Sequence, residues 1–387
     1  MYFYRKGFVR ALKISLLDQP FKLRRWSYVL GFSLLYLLFV LAVRLTRRLD
    51  GVLWRDIERV PIQEPVFIIA PPRSGTSFLQ KLLAGDRGRF IYWKMYQTIF
   101  PSVLIDRTVG WVRDLDRCFG RPLARCMDGI QRACFGNWDN LHIMRLDAPE
   151  EDGALYLYAF ACEAIYMLFP FIEELWELGF PDTLPEEDRK QLMRYYRSCL
   201  QRLVYSSGSN NQTLLIKSTN SSGALASILE AFPDARFITL VRDPGDSIAS
   251  SISLMMPALR AHSPEIAAAG TVSKAYARLS AEWYKYLHEF MGKMPEERVC
   301  IVDYRDLVSN PADTVESIYR HFGWDLSRDY RETLEMVNLR QASYRSEHRY
   351  SLEEFGISRA WLYEELSEVM RANQIPVSGP SVESASA

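Results

Sequence analysis

Short apolar runs recur along the chain: EPVFIIA at 64–70, LLIKS at 214–218, ARFITLVR at 235–242 and VCIVDY at 299–304. Each is bounded by proline, glycine, polar or charged residues and is too short for a buried helix, so each predicts a buried strand. Between them the apolar spacing changes to three and four. SFLQKLLA at 77–84, GALASILEAF at 223–232, DSIASSISLM at 246–255, residues 272–291 and PADTVESIYRHFG at 311–323 predict helices. Asp246 is the expected N-cap of the third of these. The last has proline at its start and glycine past its end. Strands that alternate with helices predict an α/β fold, a parallel sheet flanked by helices on both faces. Residues 102–205 show helical periodicity and many aromatics with little strand pattern. They predict a mainly helical insertion within a domain spanning 65–376.

One run breaks this rhythm. Residues 26–43 read WSYVLGFSLLYLLFVLAV without a charge, at the lower edge of what spans a bilayer. Lys22, Arg24 and Arg25 precede it; Arg44, Arg47 and Arg48 follow. Trp26 and Tyr28 suit an interfacial belt. No small-residue cleavage site follows, so it does not read as a signal peptide. The pattern favours a single-pass anchor, with a buried or in-plane helix as the alternative for so short a run. Residues 1–25 form a basic N-terminal segment, 44–64 a linker, and 377–387 a disordered Ser/Pro/Gly tail. Positive charge on both sides leaves the orientation open.

Composition narrows the function classes. The 387 residues carry 47 basic and 47 acidic side chains, a balance that predicts no nucleic-acid partner. The 6 cysteines are scattered without a C-x-x-C pair, and the 5 histidines are isolated. Buried free thiols and no protein-held metal are expected.

Two motifs carry candidate chemistry. PPRSGTS, 71–77, lies between a predicted strand and a predicted helix, where ligands bind in open parallel sheets. Gly75 allows close backbone approach to an anion, and the helix start offers unpaired N–H groups. Ser74, Thr76 and Ser77 add hydroxyls; Arg73 adds a fixed charge. A tight strand-to-helix turn explains every residue here except Arg73. The loop lacks the G-x-x-x-x-G-K-[ST] pattern, which disfavours magnesium-assisted nucleotide hydrolysis. VRDPGDSIAS, 241–250, places Arg242 at a second strand end and Ser250 in the next helix, a second anion site or an Arg–Asp pair stiffening the turn. Two anion sites at two strand ends suit a ligand with phosphate at two places.

With these residues in view the chain resembles the sulfotransferases that use 3'-phosphoadenosine 5'-phosphosulfate (PAPS), close to the branch common in bacteria. PPRSGTS matches that family's 5'-phosphosulfate loop and VRDPGDSIAS its 3'-phosphate motif. VDYRDLVSNP and HRYSLEEFGIS match later landmarks, so the likeness runs from about residue 65 to 358. It implies a P-loop-like fold. Arg73, Ser74, Gly75, Thr76 and Ser77 would hold the 5'-phosphosulfate, Arg242 and Ser250 the 3'-phosphate, and Arg349 or Arg345 would close over the nucleotide. It implies PAPS as donor, its bisphosphate (PAP) as product, no metal, and a hydroxyl or amine acceptor; a membrane tether would suit one that is lipid-linked, with carbohydrate also open.

For catalysis, the likeness points to Arg73 and Lys217 as electrostatic groups and to Glu151, within RLDAPEEDGAL, as proton acceptor. Glu150, Asp152 and His142 are the alternatives for that last role. Two departures stand out: Ser218 and Thr219 replace a histidine found in cytosolic relatives, and Lys94 stands where the branch often has glutamate. A strand-end lysine facing solvent is the other reading of Lys217. Competing functions are a small-molecule kinase and a membrane-anchored nucleotide-binding protein without catalysis. Cysteine usage favours a cytosolic catalytic domain over one in the Golgi lumen. Sequons at Asn211 and Asn220 do not settle the side. The aromatics Trp93, Tyr96, Phe100, Trp111, Trp138, Tyr156, Tyr158 and Phe160 are candidates to line an acceptor pocket or to fill the core.

Overall fold

The computed structural model describes residues 1–126, 129, 146–209, 211–341 and 351–375. Its centre is a parallel sheet of five strands in the order β2-β3-β1-β4-β5, formed by β1 (Val66–Ile69), β2 (Phe90–Ile91), β3 (Thr213–Lys217), β4 (Arg236–Val241) and β5 (Val299–Asp303). Four of these are the runs the apolar pattern marks. The edge strand β2 has only 2 residues, too few to show any period.

Alternation within β1 sets the two layers. Val66 and Ile68 face a core shared with α3 (Thr76–Leu83) and the helix Pro311–His321. Phe67 and Ile69 face the larger core built with the helices Glu186–Ser207, Pro244–His262 and Thr271–Gly292. Side chains on opposite faces at successive positions are what a strand covered by helices on both sides requires. The chain leaves β1 towards β2 and β3, then crosses to β4 on the other side of β1. That reversal opens a crevice beyond the carboxyl end of β1, the ordinary ligand position in open α/β sheets.

Two boundaries differ from the pattern. The Pro244–His262 helix is capped by Asp243, whose carboxylate accepts from the N–H groups of Gly245 and Asp246. Pro244 takes the first helical position, so Asp246 falls inside the first turn. GALASILEAF starts as a 3-10 turn, and its regular helix begins at Leu225.

The apolar run belongs to a 31-residue helix, α2 (Leu23–Leu53), which absorbs the first part of the expected linker over 44–64. Its buried positions include Val29, Ser33, Tyr36, Val40, Val43, Arg47 and Asp50, a stripe at intervals of three and four. Asp50 is wholly buried; its carboxylate accepts from the N–H groups of Val103 and Leu104 at 3.1 and 2.9 Å and pairs with Arg202 at 3.0 Å. It thereby caps the Val103–Cys118 helix from a different element. The basic N-terminal segment is also structured. α1 (Arg5–Lys13) sets Phe8 edge-on to Phe160, and the Tyr4 N–H donates to the Ala159 carbonyl at 2.8 Å.

Candidate active site

Neighbouring strands deliver the site side by side. In sheet order, Lys217 ends β3, residues 71–77 follow β1, Arg242 follows β4 and Tyr304 follows β5. Adjacent parallel strands lie about 4.8 Å apart, so groups at their carboxyl ends share one crevice.

The loop after β1 is held in an unusual backbone. Gly75 has φ +95°, and Arg73, which carries a side chain, has φ +66°. A left-handed bulky residue costs on the order of 1–2 kcal/mol and persists only where its surroundings impose it. The imposing contact is visible: the Arg242 Nη1 donates to the Arg73 carbonyl at 2.6 Å. Inside the loop, the buried Ser74 hydroxyl donates to the Pro71 carbonyl at 2.7 Å. The Arg73 Nε in turn donates to the Ser250 Oγ at 3.1 Å. The two sequence motifs, expected as separate anion sites, therefore meet directly.

Tyr304 joins them from below. Its ring lies 4.4 Å from the Arg242 guanidinium, and a Cβ added at Gly75 would stand 2.7 Å from the same ring. Glycine is thus required at 75 for space as well as for its backbone angle. The Arg242 Nε is buried with no partner. A buried guanidinium N–H left open at a strand end is a donor awaiting an acceptor.

Lys217 does not face solvent. Only 4% of its side chain is exposed, and its Nζ donates to the Ser77 Oγ at 2.8 Å and pairs with the Glu151 Oε2 at 2.8 Å. The Thr219 hydroxyl donates to the same Glu151 oxygen at 3.1 Å. Glu151 thus sits at the anion loop, one lysine away from Ser77. Its neighbour Asp152 is wholly buried and accepts from the hydroxyls of Tyr196 and Ser218. Burial pushes the Asp152 carboxyl up to about 7, against the hydrogen bonds from Tyr196 and Ser218. Asp152 is accordingly a structural post under the end of β3. The segment bearing Lys94 lies against this acidic loop: the Glu150 N–H donates to the Trp93 carbonyl at 2.9 Å, and Lys94 bridges to Pro149.

Two groups escaped the sequence reading. Glu163 has a buried carboxyl oxygen without a partner, although the residue is only half-buried, and its carboxyl is pushed up to about 8 by burial and then by the Glu151 charge. No motif surrounds it. Arg359, just beyond the HRYSLEEFGIS landmark, donates to the Tyr363 hydroxyl at 2.8 Å, and that hydroxyl donates to Asp243 at 2.8 Å. Arg359 and Arg242 both lower the Asp246 pKa, which burial and Asp243 raise overall. Its position directly after that landmark was the available signal.

His142, Arg345, Arg349 and Trp138 lie outside the described residues. Of the aromatic candidates, Trp93, Tyr156, Tyr158 and Phe160 are buried in the core, while Trp111 is 66% exposed. Asn220 is buried and accepts from the Cys162 thiol, which leaves no room for a glycan. Among the described residues, no group of His, Cys, Asp and Glu has the arrangement of a metal site.

Comparison with known proteins shows the family and the fold. Residues 65–328 match the model of the Sulfotransferase family. Omega-hydroxy-beta-dihydromenaquinone-9 sulfotransferase from Mycobacterium bovis is 24% identical over 275 residues, 70% of this chain. A Mycobacterium tuberculosis protein of the same name matches equally well. The aligned part spans 65% of the length of these relatives. The crystal structure of sulfotransferase STF9 from Mycobacterium avium has TM-score 0.72 at 17% identity, covering 98% of this chain and 99% of that one. STF1 from Mycobacterium tuberculosis has TM-score 0.66 at 20% identity, with coverage of 94% and 92%. At such identities the structural likeness speaks for the fold.

Proposed function

Since this chain belongs to the sulfotransferase family, we propose that it transfers a sulfuryl group from PAPS to a hydroxyl on a lipid acceptor. The observation that carries this reading is the direct contact of the two anion motifs, Arg242 on the Arg73 carbonyl and Arg73 on Ser250. A single ligand with phosphate at both ends suits such a cradle. Residues 73–77 would take the 5'-phosphosulfate, and Arg242 and Ser250 the 3'-phosphate. The open Nε of Arg242 fits an anionic oxygen.

PAPS supplies the activated sulfuryl group. The chain's own residues orient it and meet the charge that develops. In an in-line displacement, the acceptor oxygen bonds to sulfur as the bridging S–O bond breaks, and negative charge gathers on the leaving phosphate. Arg73 within the loop and Lys217 beside it lie where that phosphate would be held. Both act as fixed charges, and arginine stays protonated throughout. The acceptor's proton passes to Glu151, whose Oε2 is held beside Lys217 and Thr219 and therefore aimed at the loop.

The lipid acceptor is supported by the name of the mycobacterial relatives, which act on a hydroxylated menaquinone, and by the apolar helix α2 of this chain. The test is transfer from labelled PAPS to a panel of long-chain alcohols, hydroxylated quinones, sugars and amines, beside calorimetric titration with PAP. Turnover should be confined to hydroxyl lipids. PAP affinity that is undiminished in the double variant Arg73→Ala/Arg242→Ala would sink the assignment.

A further inference from the structure

The helix α2 is long and apolar enough to cross a membrane. Its attachments argue for a different placement. At its start, Lys22 pairs with Glu265 at 2.5 Å and the Arg24 Nε donates to the Ala261 carbonyl at 2.7 Å. Midway, the Tyr36 hydroxyl donates to the Leu157 carbonyl at 2.7 Å. Near its end, Arg47 donates to the Pro101 carbonyl and Ser198 hydroxyl, and Asp50 pairs with Arg202. From Arg24 to Asp50 the axis runs about 39 Å at 1.5 Å per residue. That exceeds the roughly 30 Å hydrocarbon thickness of a bilayer. A helix pinned to one globular body along that whole length cannot cross without drawing the body, with its buried charges, into hydrocarbon.

The opposite face is of another kind. Leu30, Leu34, Leu37, Leu38, Leu41 and Leu45 are all exposed, and no charge occurs between Arg25 and Arg44. The Val103–Cys118 helix packs beside α2 and exposes Trp111 and Leu115. Charge complements it: residues 1–53 hold 10 basic and 2 acidic side chains, with Arg24 and Arg48 exposed at either end of the leucine face.

We propose that α2 lies in the plane of an anionic bilayer surface, leucine face down, and seats the protein as a monotopic membrane protein. An amphipathic helix with basic ends and a broad aliphatic face binds the headgroup–acyl boundary in this way. A second copy of the chain is the weaker occupant. Protein interfaces are anchored by Trp, Tyr and Arg with polar rims, while the exposed side chains of α2 between Arg25 and Arg44 are mostly leucine, with Tyr28, Phe32 and Phe39 among them. The inference concerns a face bearing none of the cradle residues and stands whether or not the acceptor is a lipid.

The test is flotation of the full chain with vesicles of phosphatidylcholine alone and with added phosphatidylglycerol. The chain should float with the anionic vesicles, more weakly at high salt. The variant Leu34→Glu/Leu38→Glu/Leu41→Glu charges one exposed face and should reduce the bound fraction about tenfold or more, with the thermal melt unchanged. A second measurement fixes the geometry: cysteines at the exposed positions Ser27→Cys and Gly51→Cys, in a background lacking Cys118, Cys126 and Cys134, are treated with an impermeant maleimide outside sealed vesicles. In-plane seating labels both ends. Labelling of one end only means a span and overturns the proposal. So does vesicle binding that the glutamates leave intact, or a concentration-dependent dimer that they abolish in a chain that never floats.

Discussion

Two arginine clusters among the described residues are finished differently. Under α2, Arg47 and Arg202 are buried with Asp50, and their donors reach the Pro101 carbonyl, Cys199, Ser198 and the carboxylate of Asp50. At the sheet edge, Arg242 reaches the Arg73 carbonyl and leans on Tyr304, with its Nε open. The first cluster closes upon itself and fastens a helix. The second is held in place by backbone and ring, which leaves charge available. The first cluster is an attachment, and the open donor of the second fits the anion recognition proposed for Arg242.

The comparison breaks first at Asp50. Asp50→Ala leaves Arg202 buried without its partner and should cost about 3–5 kcal/mol of stability, visible as a lower Tm. PAP affinity of the folded fraction should not change. A loss of affinity at unchanged Tm would reverse the roles given to the two clusters. Next comes Arg73→Ala, which should lower kcat on the order of 10²–10³-fold with little change in Tm, measured by sulfuryl transfer from labelled PAPS. Arg242→Ala should be smaller, about 1.5–3 kcal/mol of PAP binding by calorimetry, the range for a hydrogen bond to a charged group.

The pH dependence of stability sharpens the comparison further. The Asp152 carboxyl rises from 3.8 to about 7, and Glu163 from 4.5 to about 8. The folded state therefore holds more protons than the unfolded one between about pH 4 and 8, and stability falls as pH rises through that window. Asp152→Asn and Glu163→Gln should each flatten the slope in a series of denaturant midpoints. A slope that both variants leave unchanged would mean that neither carboxyl is raised.

Much of the cradle was legible because its logic is local. PPRSGTS and VRDPGDSIAS each set a strand end, a turn and a helix start within a few residues, and the structure builds them so. Their direct contact was not legible, since it depends on β1 and β4 being sheet neighbours. Lys217 and Glu151 were named from sequence, but their ion pair joins distant segments and left no pattern. Glu163 was missed for the same reason. The apolar run at 26–43 showed the composition of α2, whereas its attachment depends on Arg202 and Leu157, far along the chain. Hydropathy measures what a helix tolerates on average and is blind to which side is fastened.

The ring of Tyr304 has a consequence for how the protein tolerates change. It fills the space that any side chain at position 75 would need, and it is also the platform on which Arg242 rests. Two motifs far apart in the chain thus share one physical support. Substitutions at Gly75 and Arg242 should not sum, because each alters the footing of the other. A change at Tyr304 itself would register both in the 71–77 loop and at the Arg242 strand end, so this position is constrained from two sides at once.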